Sequence, residues 1–160
     1  VHLSTIKQDM DCAIEYFNVI NIRRKHPITL INNIDNSLLS VQCLKMIFQP
    51  ILENVLKHAF SVDDSGTITI SSITDEKKAI IEITDNGCGI NEDKLSLIKA
   101  QLEESDLNKL QKGEHIGLLN VNMRLKLYYN KECGIEIISK ESFGTTIRII
   151  FEKEAPASEN

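Results

Sequence analysis

The sequence predicts an α+β fold, a two-layer α/β sandwich with helices on one face of a mixed, mainly antiparallel sheet. Strand segments arrive in hairpin pairs, GTITISSIT with AIIEITD around a DEKK turn and a second pair inside GIEIISKESFGTTIRIIF, with apolar and polar residues alternating. Amphipathic helical segments fall between strands and hairpins, an arrangement that argues against a βαβ nucleotide fold. A chain of 160 residues suffices for one core of ordinary size, and no Pro/Gly/Ser-rich linker or internal repeat divides it.

In chain order, Leu3, Ile6, Met10, Ala13, Phe17 and Ile20 recur at steps of three and four, which makes one apolar stripe along a helix ending near RRKHP. A stripe this narrow suits either a partner helix or the domain's own core. PITLINNI reads as a strand, with Pro27 at its start where a missing N–H is harmless. LKMIFQPILENVLKHAF follows as a second amphipathic helix, and the first hairpin comes next. NEDKLSLIKAQLEESDLNKLQKGEH then opens with an Asn cap and early acids and continues as a long polar segment with apolar residues at helical spacing. GLLNVNMRLKLYYN is a further helix, the second hairpin closes the fold, and EKEAPASEN is a frayed tail. The expected division is an N-terminal helix over 1–25, a domain over 26–153 and a tail over 154–160.

With 42% hydrophobic and 26% charged residues the composition is globular, and a formal charge of -5 offers no basic footprint for nucleic acid. No apolar run approaches the roughly 18 to 20 residues a membrane-spanning helix needs, and no signal-peptide pattern opens the chain. The start on Val1, with a helical pattern already under way, is that expected of a fragment whose upstream part, with membrane spans, is missing. Cys12, Cys43, Cys88 and Cys133 are scattered singly, which suits neither a zinc site nor a disulfide scaffold and points to a reducing cytosol. His2, His26, His58 and His115 show no H-x-x-x-H spacing.

Two stretches carry chemistry. On a helical wheel of QPILENVLKHAF, Glu53, Asn54, Lys57 and His58 cluster on one side, while Ile51, Leu52, Val55, Leu56 and Ala59 fall on the other. A solvated face predicts this too, but Asn is a poor mid-helix residue unless its side chain has a task. An oxygen donor beside a lysine is also what a magnesium-bearing polyphosphate requires. The second stretch, IIEITDNGCGI, begins as a strand and then places Gly87 and Gly89 beside Asp85 and Asn86. An Asp/Asn-Gly hairpin turn is the first reading, but the helical pattern that follows argues instead for a strand leading into a glycine-loosened loop.

Taken together, QPILENVLKHAF resembles the N box, DNGCGI the G1 box and HIGLLNVNMRL the G2 box of the GHKL (Bergerat) ATP-binding fold, which gyrase, chaperone, mismatch-repair and histidine-kinase ATPases share. FGTTIRI resembles the family's closing strand motif, and the order and spacing also fit. The Gln-Pro before Glu-Asn and the GLLNVNMRL helix are most similar to sensor histidine kinases of the LytS/YesM subgroup. The likeness covers about Leu44 to Phe151. It implies that Asn54 coordinates the Mg²⁺ bridging the ATP phosphates, with Lys57 near them, Glu53 beside the metal and His58 on the same face. Asp85 would accept a hydrogen bond from the adenine amino group and so discriminate against guanine. Gly87, Gly89 and Ile90 would pass close to the base and hinge a lid. His115, Ile116, Gly117, Leu118 and Asn120 would bring the first turn of a helix to the phosphates, and Thr146 would reach the adenine pocket. Arg124 would be structural or close to the phosphates.

Two positions depart from the family pattern. The G2 box usually has a glycine two residues before Gly117, where this chain has His115, which would stiffen the lid or touch phosphate; Gly113 offers compensating flexibility. The ATP-hydrolysing relatives place a carboxylate base four residues before the metal-binding Asn, and here that place holds Pro50, so hydrolysis should be slow and transfer to a protein side chain the natural use. The resemblance therefore implies a protein-histidine kinase domain of a two-component system. Its phosphoacceptor would lie in an absent dimerisation segment of a homodimeric, membrane-anchored whole, with a response regulator downstream. A serine kinase of the anti-sigma-factor type and a non-catalytic ATP-binding module are the alternatives.

Overall fold

The computed structural model describes residues 2–104 and 113–156. Its main sheet has five strands, β2 (Thr29–Asn32), β4 (Thr67–Thr74), β5 (Lys78–Asp85), β6 (Gly134–Lys140) and β7 (Gly144–Glu152), in the order β2-β4-β5-β7-β6. All neighbours are antiparallel except β2 and β4, which run parallel with Leu30 opposite Ile68. The sheet is thus mixed and mainly antiparallel, as expected. Period-two alternation gives it one dry face: Ile68 and Ile70, Ile81 and Ile83, and Ile147 and Ile149 are all buried. On the other face Arg148 lies 3.3 Å from Glu82 and 3.6 Å from Glu136.

The helices α1 (Ile6–Asn21), α2 (Phe48–His58), α3 (Glu92–Glu103) and α4 (Ile116–Tyr128) contribute Met10, Phe17, Ile51, Val55, Ile98, Leu118 and Leu125 to a single core with the dry face. The α1 stripe is therefore spent within this core, where Ile6, Met10, Ala13 and Phe17 are buried. Thr5 and Gln8 form a capping box at its start. Val1, residues 105–112 of the polar segment, and 157–160 of the expected tail lie outside the described residues.

Three short elements were not legible in the pattern: β1 (Leu3–Thr5), β3 (Gln42–Leu44) and a 3-10 turn over Asn36–Leu38. β1 and β3 pair antiparallel as a separate two-stranded sheet. This pairing brings α1 beside the start of α2, where Asp9 compensates for a missing local cap. Ile47, the N-cap position of α2, has no capping side chain. Instead the Asp9 carboxylate accepts from the backbone N–H groups of Met46 (2.6 Å), Ile47 (3.0 Å) and Phe48 (3.2 Å). Pro50 sits in the first turn of α2, where its absent N–H has no intrahelical partner to lose.

Candidate functional site

Helix α2 turns Ile51, Leu52, Val55 and Leu56 into the core, which leaves Glu53 and Lys57 exposed and Asn54 and His58 half-buried. The two-sided pattern read from the sequence is present residue by residue. The charge of the Glu53 carboxylate, close to the Tyr16 hydroxyl of α1, raises the Tyr16 phenol above its ordinary value. Asn54 and His58 line a cleft whose far wall is Asp85, Ile90 and Thr145. A larger open groove, about 700 Å³, is lined by Leu44, Met46, Arg124 and Tyr128 and shares no residue with this cleft.

Asp85 is the last residue of β5 and is 3% exposed. Its Oδ1 accepts from the Gly87 N–H at 2.8 Å. Burial pushes the Asp85 carboxyl above the ordinary value, while the backbone amides of Gly87 and Thr145 pull it back down. A recessed carboxyl with few donors around it is suited to bind one polar edge of a flat ring.

The β5/β7 register sets Asp85 opposite Thr145 and Thr84 opposite Thr146. One residue along a strand changes the face, so the expectation for Thr146 needs correction. The Thr146 hydroxyl lies 2.9 Å from that of Thr84, and Thr146 is not part of the cleft wall. Thr145 takes the place beside Asp85, its hydroxyl 2.7 Å from that of Ser139.

The glycines after Asp85 answer first to packing. A Cβ on Gly87 would stand 2.2 Å from the Ala59 carbonyl oxygen, because the loop passes directly over the end of α2 and Cys88 N–H donates to that same carbonyl at 2.9 Å. Gly89 has φ +68° and a Cβ there would meet the Lys140 carbonyl oxygen at 2.1 Å. The loop is thus seated between α2 and β6, and Ile90 N–H donates to Ser139 Oγ at 2.9 Å.

His115 occupies the N-cap position of α4 without a side-chain cap bond. Its Nδ1 lies 3.1 Å from Asn54 Oδ1, and its ring lies against that of His58 with centroids 4.4 Å apart. His58 Nε2 donates in turn to the Glu114 carbonyl at 3.0 Å. Burial, then the neighbouring His58, lower the His115 pKa, so its imidazole is neutral near pH 7. With His115 set against Asn54, the enclosed cleft measures only about 30 Å³, room for about one water and far below the roughly 300 Å³ of a typical small-molecule pocket.

In the first turn of α4, Ile116 and Gly117 are half-buried, Leu118 is fully buried and Asn120 is exposed. A Cβ on Gly117 would find Pro50 at a comfortable 3.6 Å. Arg124 is structural: its guanidinium donates to the Lys45 and Met46 carbonyls, across a turn where Met46 has φ 63°. Sequence reasoning missed Asn122, which is 1% exposed. It donates to the Leu102 carbonyl at 2.8 Å and accepts from Ile135 N–H at 2.8 Å, so it ties α3, α4 and β6 together behind the cleft. Its only signal was an asparagine inside a helix.

Residues 41–155 match the family described as histidine kinase-, DNA gyrase B-, and HSP90-like ATPase. The sensor histidine kinase/phosphatase LytS of Staphylococcus aureus is 27% identical over 160 residues, 99% of this chain and 26% of that protein. Among solved structures, the catalytic domain of histidine kinase ThkA superposes with a TM-score of 0.67 at 14% identity, covering 96% of this chain and 97% of that one. The Acinetobacter baumannii histidine kinase AdeS does so with a TM-score of 0.63 at 18% identity, over 92% of this chain and 66% of that one. The chain spans about a quarter of the length of the curated relatives it matches. Among the described residues no helix is long and apolar enough to cross a membrane.

Proposed function

This chain belongs to the histidine kinase-, DNA gyrase B-, and HSP90-like ATPase family, and on that premise we propose that it is the catalytic domain of a sensor histidine kinase. It binds ATP with Mg²⁺ in the cleft between α2 and the end of β5 and presents the γ-phosphoryl group to a histidine of another segment. The observation that carries this reading is that Asn54 and Asp85, from unconnected elements, line one cleft.

Each residue has a role its chemistry suits. Asp85 accepts from the adenine amino group, and its burial makes the match selective because an unpaired carboxylate there is costly. Asn54 supplies a hard amide oxygen, Glu53 a neighbouring carboxylate and Lys57 a positive charge, a set that fits Mg²⁺, which keeps several waters and takes few protein ligands. The ion would neutralise charge on the phosphates. The opening N–H groups of α4 at Ile116, Gly117 and Leu118 face the same anionic end. No carboxylate stands four residues before Asn54, where Pro50 lies, so water is poorly activated and a positioned imidazole is the better nucleophile. In the transfer the imidazole nitrogen forms the N–P bond as the bond between the γ-phosphorus and its bridging oxygen breaks, with ADP leaving. His115 must leave Asn54 before nucleotide enters.

The partners proposed on this reading are a histidine-bearing dimerisation segment of the same protein, a second subunit and a response regulator. The test is to supply that segment, rejoined or in trans, with γ-labelled ATP and Mg²⁺. The expected product is acid-labile and base-stable, as phosphohistidine is; an acid-stable phosphoserine would transfer the reading to a serine kinase. Nucleotide binding without any transfer would leave only a binding module.

A further inference from the structure

We propose that His58, His115 and Glu114 form a site for a transition-series divalent cation of the Zn²⁺ type, which locks His115 onto Asn54 and excludes Mg-ATP. One ligand atom from each of the three residues lies within 4.8 Å of the others. Two imidazoles and one carboxylate make a borderline nitrogen-oxygen set that suits Zn²⁺, unlike the all-oxygen surroundings Mg²⁺ takes. Tetrahedral bonds of roughly 2.0–2.1 Å need ligand atoms about 3.3 Å apart. The remaining closure falls to the exposed Glu114 side chain and two half-buried rings.

Hydrogen bonding around the rings supplies an independent argument. A metal-bound histidine characteristically donates its other ring N–H to an oxygen, which fixes its tautomer and orientation. His58 Nε2 donates to the Glu114 carbonyl and His115 Nδ1 to Asn54 Oδ1. Each ring therefore has one nitrogen committed as a donor and one with its lone pair free. Two imidazoles 4.4 Å apart would repel if both were protonated, and a shared cation takes the place of those protons.

His58 closes α2, whereas Glu114 and His115 immediately precede α4. An ion joining them pins the entry of α4 to the end of α2 and keeps the His115 ring on the Asn54 oxygen. Binding of the cation and of nucleotide then exclude each other. This coupling rests on the ATP reading; the cation site itself does not.

CoCl₂ titrated into the metal-free protein is expected to give the visible absorption of a four- or five-coordinate Co²⁺ site at one equivalent, bleached by ZnCl₂. His58→Ala and His115→Ala should abolish it and Glu114→Gln weaken it about tenfold, with far-UV circular dichroism unchanged because Glu114 is exposed, both rings are only half-buried and none of the three belongs to the core. A Cys12→Ser/Cys88→Ser variant should behave as the parent does; loss of the signal there, or its survival in His115→Ala, overturns the site. In a second arm, Zn²⁺ at about four times the parent's dissociation constant should weaken a fluorescent ADP analogue about fivefold in the parent and less than about 1.5-fold in Glu114→Gln. Equal weakening in both would mean Zn²⁺ had merely chelated the nucleotide, and would overturn the coupling. If the zinc-free parent bound no nucleotide, the ATP reading would fail while the cobalt arm still decided the site.

Discussion

Replacing Asp9 with Ala tests how the site helix is held. Asp9 is 5% exposed and its carboxylate takes three backbone donors at the start of α2. Met46 is 44% exposed, so water can satisfy its N–H after truncation. Ile47 and Phe48 are both fully buried at 0%, and their two amides would be left without a partner. At about 1–3 kcal/mol for each of the two buried orphan donors the loss is bounded at about 2–6 kcal/mol, and the middle of that range, about 3–5 kcal/mol, is expected. A domain of this size has roughly 5–15 kcal/mol in total and loses about 2–4 °C in Tm per kcal/mol, so the midpoint should fall by about 6–20 °C. The assay is urea unfolding followed by far-UV circular dichroism, with Asp11→Ala on the exposed side of α1 as control. A loss below about 0.5 kcal/mol, or no larger than the control's, would refute the capping role.

Three further outcomes follow from the site. Because burial raises Asp85, the folded chain binds its proton more tightly than the unfolded chain does; the associated stability is complete below the unfolded value of 3.8 and is lost as pH rises through the folded one. The Tm of Asp85→Asn relative to the parent should therefore climb as pH rises from about 4 in nucleotide-free scans, and a flat difference would contradict it. If Asn54 serves Mg-ATP as proposed, His115→Ala removes a competing hydrogen bond worth about 0.5–1.5 kcal/mol, so nucleotide affinity should rise about two- to tenfold by calorimetry; a fall would mean that His115 serves the phosphates instead. Thr145→Val should weaken nucleotide binding about tenfold while Thr146→Val leaves it within about twofold, and the reverse order would restore Thr146 to the pocket.

What the sequence made legible was whatever local periodicity encodes. The two faces of α2, the alternation in β4, β5 and β7, and the strand-then-loop reading of Asp85 to Ile90 all reappear in the structure. β1 and β3 span only 3 residues each, too short for any period to register. The Asp9 cap was hidden because helix caps are sought next to the helix, and this one comes from 37 to 39 residues away. Thr145 and Thr146 differ by a strand face that only register with β5 decides. His58 and His115 follow no metal spacing along the chain, and tertiary folding alone brings their rings within 4.4 Å.

The most direct measurement is a fluorescent-ATP titration, with and without Mg²⁺, on the parent, Asn54→Ala and Asp85→Asn. If α2 serves the phosphates through the ion and β5 serves the base, Asn54→Ala should erase the Mg²⁺ dependence of binding, whereas Asp85→Asn should weaken binding about tenfold or more under both conditions. Parent-like curves from both variants would contradict a nucleotide site in this cleft.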